Sequence, residues 1–392
     1  MVAGFREFRV ASKVVESEII TSFYLEPTDG APVWDVLPGQ YITLRVPGSG
    51  DPVLKTYSVS CDPSETRHHR ISVKREAGLN GAPDGVGSCW LHDQIEIGDT
   101  VEIAAPRGKF FLDETSTRPV LLLSGGVGLT PMVSMLHRLR DSDRDVHFLH
   151  ACENGQVHAL RDEVLSCANE RIQARFIYRT PTDADRAAKR FDAQGVIDKA
   201  FMQTHVPIGD YDAYICGPTP FMVAMYQLLQ ELGVPKNRIA YEFFGKATSL
   251  EALAAKPESS RSHKAASRAA PTIQALTFLT NPDAWAADEG PDVTPKPAEQ
   301  LAGDITFRAS DVTATWDGSA GSLLELAENT GLNPEFSCRA GICNSCKCGL
   351  VSGEVEYFEE PLIQPEEGQV LICSSRPKGP GVLEILRLCF CR

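Results

Sequence analysis

The sequence predicts three folded parts in one chain: an antiparallel β-barrel, a doubly wound parallel α/β domain and a C-terminal β-grasp domain. Short, partly alternating segments bounded by Gly, Pro and Asp fill the chain to about residue 112. A continuous apolar run, Val120-Leu121-Leu122-Leu123, then opens an alternation of strand-like and helix-like stretches, as in a sheet buried on both faces. Near the C-terminus Cys338, Cys343 and Cys346 stand in C-x4-C-x2-C spacing, with Cys373 following a strand-like segment. A length of 392 residues agrees, being too long for one ordinary core.

Residues 1–112 read as the barrel, with strands at 8–15, 41–46, 71–75 and 101–104. Residues 113–246 read as the α/β domain. Its strands are expected at 120–123, 146–150, 174–178 and 213–216, its helices at 132–140, 158–168 and 220–232, and its close near 239–244. From 247 to 303 the composition shifts to Ala, Pro, Ser and mixed charge, a linker with a short helix at 249–255. Within it, residues 272–285 are more apolar and are expected to dock on a neighbour. Residues 304–392 carry a hairpin (305–308 and 312–316), a helix at 322–329 and the cysteine loop.

Hydrophobic content of 43% and charged content of 23% are those of a soluble globular protein. No apolar run reaches the length of a membrane span, and the N-terminus has no signal-peptide core, so a cytoplasmic location is the default. A net charge of −14 argues against nucleic acid or an anionic membrane as partner. Cys61, Cys89, Cys152, Cys167, Cys216, Cys389 and Cys391 are scattered and read as free thiols.

The cysteine spacing is that of a plant-type 2Fe–2S cluster, with Cys338, Cys343, Cys346 and Cys373 as ligands. Gly341 allows positive φ or close backbone approach in that loop. Structural zinc pairs two C-x2-4-C knuckles, and only half of that pattern is present. Cys348 lies outside the spacing and reads as an inward-packing strand residue.

Three further stretches carry chemistry. Lys55-Thr56-Tyr57-Ser58 offers a cation, an aromatic face and a hydroxyl on one strand, the types that a flavin needs for its phosphate, ring and N5. Ser124-Gly125-Gly126-Val127-Gly128-Leu129-Thr130-Pro131 follows the buried strand and points backbone N–H groups at an anion from the start of a helix. Pro131 stands where the G-x-G-x-x-G fingerprint has its last Gly. Cys216-Gly217-Pro218 ends a later strand, on the ligand-facing edge of such a sheet.

Together these motifs resemble the ferredoxin–NADP reductase superfamily, marked by R-x-Y-S, G-G-x-G-x-T-P, C-G-P and an aromatic closing segment. Residues 5–246 are most similar to the reductase portion of flavohaemoglobins, through Gly39-Gln40-Tyr41, Ser88-Cys89-Trp90-Leu91-His92, Glu153-Asn154-Gly155 and Tyr241-Glu242-Phe243-Phe244-Gly245. With the terminal ferredoxin-like domain, the whole resembles the reductase component of a two-component Rieske-type oxygenase or demethylase.

The resemblance implies FAD against Tyr57, with Ser58 near N5, Tyr41 and Lys74 bordering it, and Gly87 and Ser88 at its pyrophosphate. Phe244 is implied to cover the ring and yield to nicotinamide, flanked by Glu242, Phe243 and Gly245. Gly126, Val127, Gly128, Leu129, Thr130 and Pro131 would hold the dinucleotide phosphates, beside Cys216, Gly217 and Pro218. Lys55 replaces the family's Arg and loses its bidentate fork, which keeps FMN as an alternative. Glu153 stands where NADP-dependent relatives carry basic residues, which favours NADH over NADPH.

The implied activity is an NAD(P)H-dependent oxidoreductase passing electrons from NADH through FAD and 2Fe–2S to a terminal oxygenase. Ser58 and Phe244 position the reactants, and no acid–base dyad is required. The alternatives are a hybrid-cluster protein or cytochrome P450 as acceptor, or a non-catalytic redox sensor. Six glutamates between Glu354 and Glu367 suggest an acidic face for a basic acceptor, or simply a solvated surface.

Overall fold

The computed structural model describes residues 4–48, 50, 52–78, 84–244, 250–254, 303–332, 334–336, 341–342 and 344–384. Six strands form the first sheet: β1 (Phe5–Val15), β2 (Ile20–Pro27), β3 (Tyr41–Val46), β4 (Val53–Ser58), β5 (His69–Lys74) and β6 (Thr100–Arg107). Their order is β4-β3-β6-β1-β2-β5, antiparallel throughout. A bridge between Val59 and Ile71 joins the two edges, closing the sheet on itself and removing exposed strand edges. Phe8, Phe23, Leu25, Ile42, Leu44 and Ile71 fill the interior. The helix α1 (Val86–Asp93) buries Leu91 in that core. Neither β2 nor α1 was expected. Ser and Thr interrupt the apolar alternation of β2, and α1 opens on Val-Gly-Ser with no capping side chain.

The second sheet is parallel. Its strands are β7 (Val120–Gly125), β8 (Val146–Cys152), β9 (Ile172–Tyr178), β10 (Ala193–Gln194), β11 (Asp212–Cys216) and β12 (Ile239–Glu242). They run in the order β10-β9-β8-β7-β11-β12. Val120 and Leu122 enter one core while Leu121 and Leu123 enter another; period-two side chains buried on both faces read as an unbroken apolar run. The helices α2 (Leu129–Arg140), α3 (Arg161–Ser166), α4 (Asp183–Ala187), α5 (Lys199–His205) and α6 (Thr219–Glu231) connect the strands. The helix expected at 158–168 is the shorter α3, because Leu160 takes a left-handed φ of 54° and stops it. The short helix α7 (Leu250–Ala254) is present, with Gln227 of α6 donating to the Ala254 carbonyl at 2.9 Å. The apolar stretch 272–285 lies outside the described residues.

The third part holds β13 (Gly303–Phe307), β14 (Val312–Trp316), α8 (Leu323–Asn329), β15 (Lys347–Ser352), β16 (Val355–Tyr357), β17 (Gln369–Leu371), β18 (Ser375–Pro377) and β19 (Gly381–Glu384). β13 and β14 form the expected hairpin, and β13 pairs parallel with β19 in the order β14-β13-β19-β15-β17. Ser322 caps α8 by accepting from the Glu325 N–H at 3.2 Å. Leu324 of α8 shares one core with Trp316 and Phe307.

Buried polar contacts hold the parts together. Arg70 of β5 makes a two-pronged pair with Glu163 of α3 at 2.7 and 2.8 Å, and His137 of α2 contacts the same carboxylate at 2.6 Å. Burial opposes the Glu163 charge, yet hydrogen bonds from His137 and Arg70 hold the carboxyl down at about 2. The third part rests on the barrel. Arg107 donates to the Glu360 carbonyl at 2.7 Å, and the Lys109 ammonium lies 4.2 Å from the Phe358 ring centre. Beside them Ile342 and Leu362 pack on Tyr41 and Leu54.

Candidate functional site

A cavity of about 310 Å³ opens where all three parts meet. β4 supplies one wall. Its register against β3 sets Ser58 opposite Tyr41 and Lys55 opposite Leu44. β5 contributes Ser72, Val73 and Lys74, and the start of α1 contributes Gly85, Val86, Gly87 and Ser88. From the α/β part come Val127, Thr130, Glu242, Phe243 and Phe244, and from the cysteine loop comes Ile342.

The walls suit a flavin. The Ser58 hydroxyl is buried without a partner, and an enclosed orphan hydroxyl is costly until a ligand satisfies it. Lys55 carries no ion pair among the described residues, which leaves its ammonium to a phosphate, whereas Lys74 is paired with Glu76 at 3.0 Å. The first N–H groups of α1 have no side-chain cap and face the same space. A Cβ on Gly87 would lie 2.5 Å from the Tyr57 hydroxyl and 2.7 Å from Lys55 Cγ, so only glycine lets α1 start this close to β4. The Ser88 hydroxyl is already engaged, accepting from the Glu76 N–H at 3.2 Å.

Glu242 is partly exposed as a residue, yet its Oε2 is enclosed with no hydrogen-bond partner. Burial pushes its carboxyl up to about 8. At neutral pH the carboxyl is therefore mostly protonated, with an enclosed oxygen that meets no protein group. NADH–ferricyanide turnover is expected to fall as pH rises through about 8, where the carboxyl ionises. Glu242→Gln should flatten that limb, and an unchanged profile in the variant would remove Glu242 as its cause.

Beside the cavity the order β8-β7-β11 reverses the direction of winding, and a ligand crevice lies at such a switch point. Gly126 takes φ +53°. A Cβ on Gly128 would meet the Cys216 carbonyl oxygen at 2.3 Å. The Gly-rich turn and Cys216-Gly217-Pro218 thus form one floor. Leu129 and Pro131 have buried side chains, so neither presents a side chain at this floor, and Pro131 has no backbone N–H to offer. Glu153 does not line the cavity; it sits exposed at the edge beyond β8, where its carboxylate accepts from the Thr180 hydroxyl at 2.7 Å. Phe244, 45% exposed, stands at the mouth. Gly245 lies outside the described residues.

Cys346 and Cys373 are buried together in the core of the third part. The Gly341 N–H donates to Cys373 Sγ at 3.3 Å, and Gly341 takes φ +66°. A backbone donor aimed at a buried sulfur suits a thiolate ligand set. Cys338 and Cys343 lie outside the described residues, as do Cys389 and Cys391. Cys348 packs against the same core, where burial pushes its thiol up to about 12. His92 contacts the Val73 carbonyl through Nε2 at 2.8 Å. Ile342 was not anticipated at the cavity; its place one residue before Cys343 is the only signal in the sequence.

Residues 7–112 match the oxidoreductase FAD-binding domain family, 122–227 the oxidoreductase NAD-binding domain family, and 306–378 the 2Fe–2S iron-sulfur cluster binding domain family. A flavohemoprotein of Bacillus thuringiensis subsp. konkukian is 44% identical over 253 residues, 63% of this chain and 62% of the relative. That of Bordetella pertussis is 45% identical over 249 residues, 62% of this chain and 61% of the relative. The chain thus spans less than two thirds of the length of these curated relatives. The flavohem-like FAD/NAD binding domain of nitric oxide dioxygenase from Vibrio cholerae is 38% identical with a TM-score of 0.55, over 62% of this chain and 99% of that one. Phthalate dioxygenase reductase, described as modular for electron transfer from pyridine nucleotides to 2Fe–2S, has a TM-score of 0.52 at 24% identity, over 97% of this chain and 98% of that one. At that identity the likeness is one of fold.

Proposed function

This chain belongs to the ferredoxin-reductase superfamily, as a flavohaemoprotein-like FAD/NAD module joined to a 2Fe–2S domain, and from that premise we propose that it is the NADH-dependent reductase of a Rieske-type oxygenase or demethylase. The observation that carries the reading is the single cavity lined by Ser58, Phe244 and Ile342, one from each part. We assign the flavin to residues 1–112, the nucleotide to 113–246 and the cluster to 304–392. No helix among the described residues is long and apolar enough to cross a membrane, and the proposed location is cytoplasmic.

The flavin, when bound, supplies exchange between the electron pair that NADH delivers as a hydride and the single electrons that a 2Fe–2S cluster takes. The chain's residues do the rest by positioning. Lys55 and the start of α1 hold phosphate, Ser58 offers its free hydroxyl to the ring, and Tyr57 packs against it. Phe244 covers the nicotinamide position and must move aside for it. At the other end Ile342, fully buried, keeps water out between cavity and cysteine loop. Glu153 repels a 2′-phosphate, which favours NADH. Cys338 and Cys343 complete the ligand set with Cys346 and Cys373.

Glu354, Glu356, Glu360, Glu366 and Glu367 are exposed, whereas Glu359 turns its carboxylate to Lys109 at 3.8 Å. The face available to a basic acceptor is therefore smaller than the sequence suggests. NADH-driven reduction of an oxidised Rieske oxygenase from the same host tests the proposal. The rate is expected to fall about tenfold between low salt and 0.5 M as the face is screened, while ferricyanide reduction stays flat. An oxygenase left oxidised while cytochrome c is turned over would overturn the oxygenase reading. One slow reduction event without turnover would overturn the reductase itself.

A further inference from the structure

His150, Cys152 and His158 lie outside the flavin, nucleotide and cluster sites, yet their ligand atoms gather within 4.8 Å of one another. Local geometry explains why. His150 and Cys152 are two apart on β8 and share a face. The turn after β8 returns the chain, and His158 comes in just before left-handed Leu160. The two imidazoles meet with ring centres 4.6 Å apart.

The hydrogen bonds of the pair are lopsided. His150 Nδ1 lies 2.9 Å from the Ser124 hydroxyl, and His158 Nδ1 lies 2.8 Å from the Tyr178 hydroxyl. Both Nε2 atoms are buried without any partner, in residues only 1% and 4% exposed. A purely structural pair would satisfy both nitrogens with one N–H···N bond between the rings, and that bond is not made. Two enclosed nitrogens left unpaired are each costly. Metal-binding histidines have this same division of labour, one ring nitrogen anchored by an outer partner and the other free for the ion.

The geometry points to a second metal site, in which His150 Nε2, His158 Nε2 and Cys152 Sγ hold one divalent ion of the zinc type. Two neutral imidazoles and a thiolate are a zinc donor set, and three protein ligands with one open position are a known zinc arrangement. Cys152 Sγ also lies 3.4 Å from the Asn154 carbonyl oxygen, which can fill that position. Donor atoms around one zinc sit about 3.5 Å apart, so the trio has to close by about 1 Å, within reach of side-chain rotation. Arg161 and Arg190 oppose positive charge at His158, while Asp185 and Glu153 add negative charge near Cys152. The thiolate is therefore needed to hold the cation. Ser124 ties the site to the strand that opens the Gly-rich turn, so an ion here would brace that edge of the sheet.

The test uses the full chain loaded with iron and flavin, dialysed anaerobically against micromolar zinc and then counted by elemental analysis. The expected result is one zinc per chain above two irons, with a melting temperature raised by a few degrees. Both should be lost in Cys152→Ala and in His158→Gln, each checked for unchanged iron and flavin content. Two variants guard against one failing to fold. Iron-replete wild type that takes up no zinc, or variants that take up as much, would overturn the site. So would zinc that arrives only as iron leaves, because the cluster thiolates would then be its ligands.

Discussion

Alanine at Gly128 is expected to abolish efficient NADH-driven turnover while leaving the flavin bound. The new Cβ would lie 2.3 Å from the Cys216 carbonyl oxygen, 2.4 Å from its carbon and 2.6 Å from the Gly217 nitrogen. All three are backbone atoms at the end of β11, a strand hydrogen-bonded on both sides by β7 and β12. They cannot retreat, so the start of α2 has to. Overpacking of this kind costs about 1–3 kcal/mol. The displaced elements are the Gly-rich turn and helix N-terminus whose N–H groups face the proposed nucleotide phosphates. KM for NADH should rise at least about tenfold, equivalent to about 1.4 kcal/mol, with the flavin-to-protein ratio unchanged because Tyr57, Ser58 and Lys55 are untouched. Gly126→Ala is the contrast: a Cβ there meets nothing within 4 Å, and only the left-handed φ of +53° is strained. Equal KM values for wild type and Gly128→Ala would show that the two loops do not form the nucleotide floor.

That asymmetry between two glycines two residues apart shows what the sequence made legible and what it did not. The motif was readable because close backbone approach demands glycine, yet which glycine bears the contact depends on where β11 ends in space. β7 announced itself because burial on both faces removes polar residues altogether. β2 and α1 did not, since β2 buries Thr21 and Ser22 beside its apolar residues and α1 opens on Val-Gly-Ser. The barrel strand Lys55–Ser58 and the closing Glu242–Phe244 segment are nearly two hundred residues apart, and resemblance alone joined them before the cavity did. Ile342 was invisible for a related reason: an aliphatic residue in a cysteine loop reads as core until another domain is packed against it. Of the acidic run, the sequence cannot show that Glu359 turns its carboxylate to Lys109. His150 and His158 carry no spacing signal in the sequence; both are buried, and their unpaired Nε2 atoms exist only in three dimensions.

Cys373→Ser should separate two activities that share one electron source. Cys373 is 3% exposed, and its sulfur accepts the Gly341 N–H at 3.3 Å, so the substitution keeps the backbone frame while replacing a thiolate by a weakly acidic hydroxyl. Iron content should fall and cytochrome c reduction should drop to background. NADH–ferricyanide activity should stay within about twofold, since the flavin walls come mainly from β4, β5 and α1. Ile342 lines the cavity and packs on Tyr41 from the same loop, so a collapsing loop would unseal the flavin as well. If only cytochrome c reduction is lost, the third part acts as an outlet for electrons. If both activities fall together and flavin is released, the cysteine loop is a structural wall of the flavin site, and Ile342→Ala in an iron-replete chain should reproduce the flavin loss by itself.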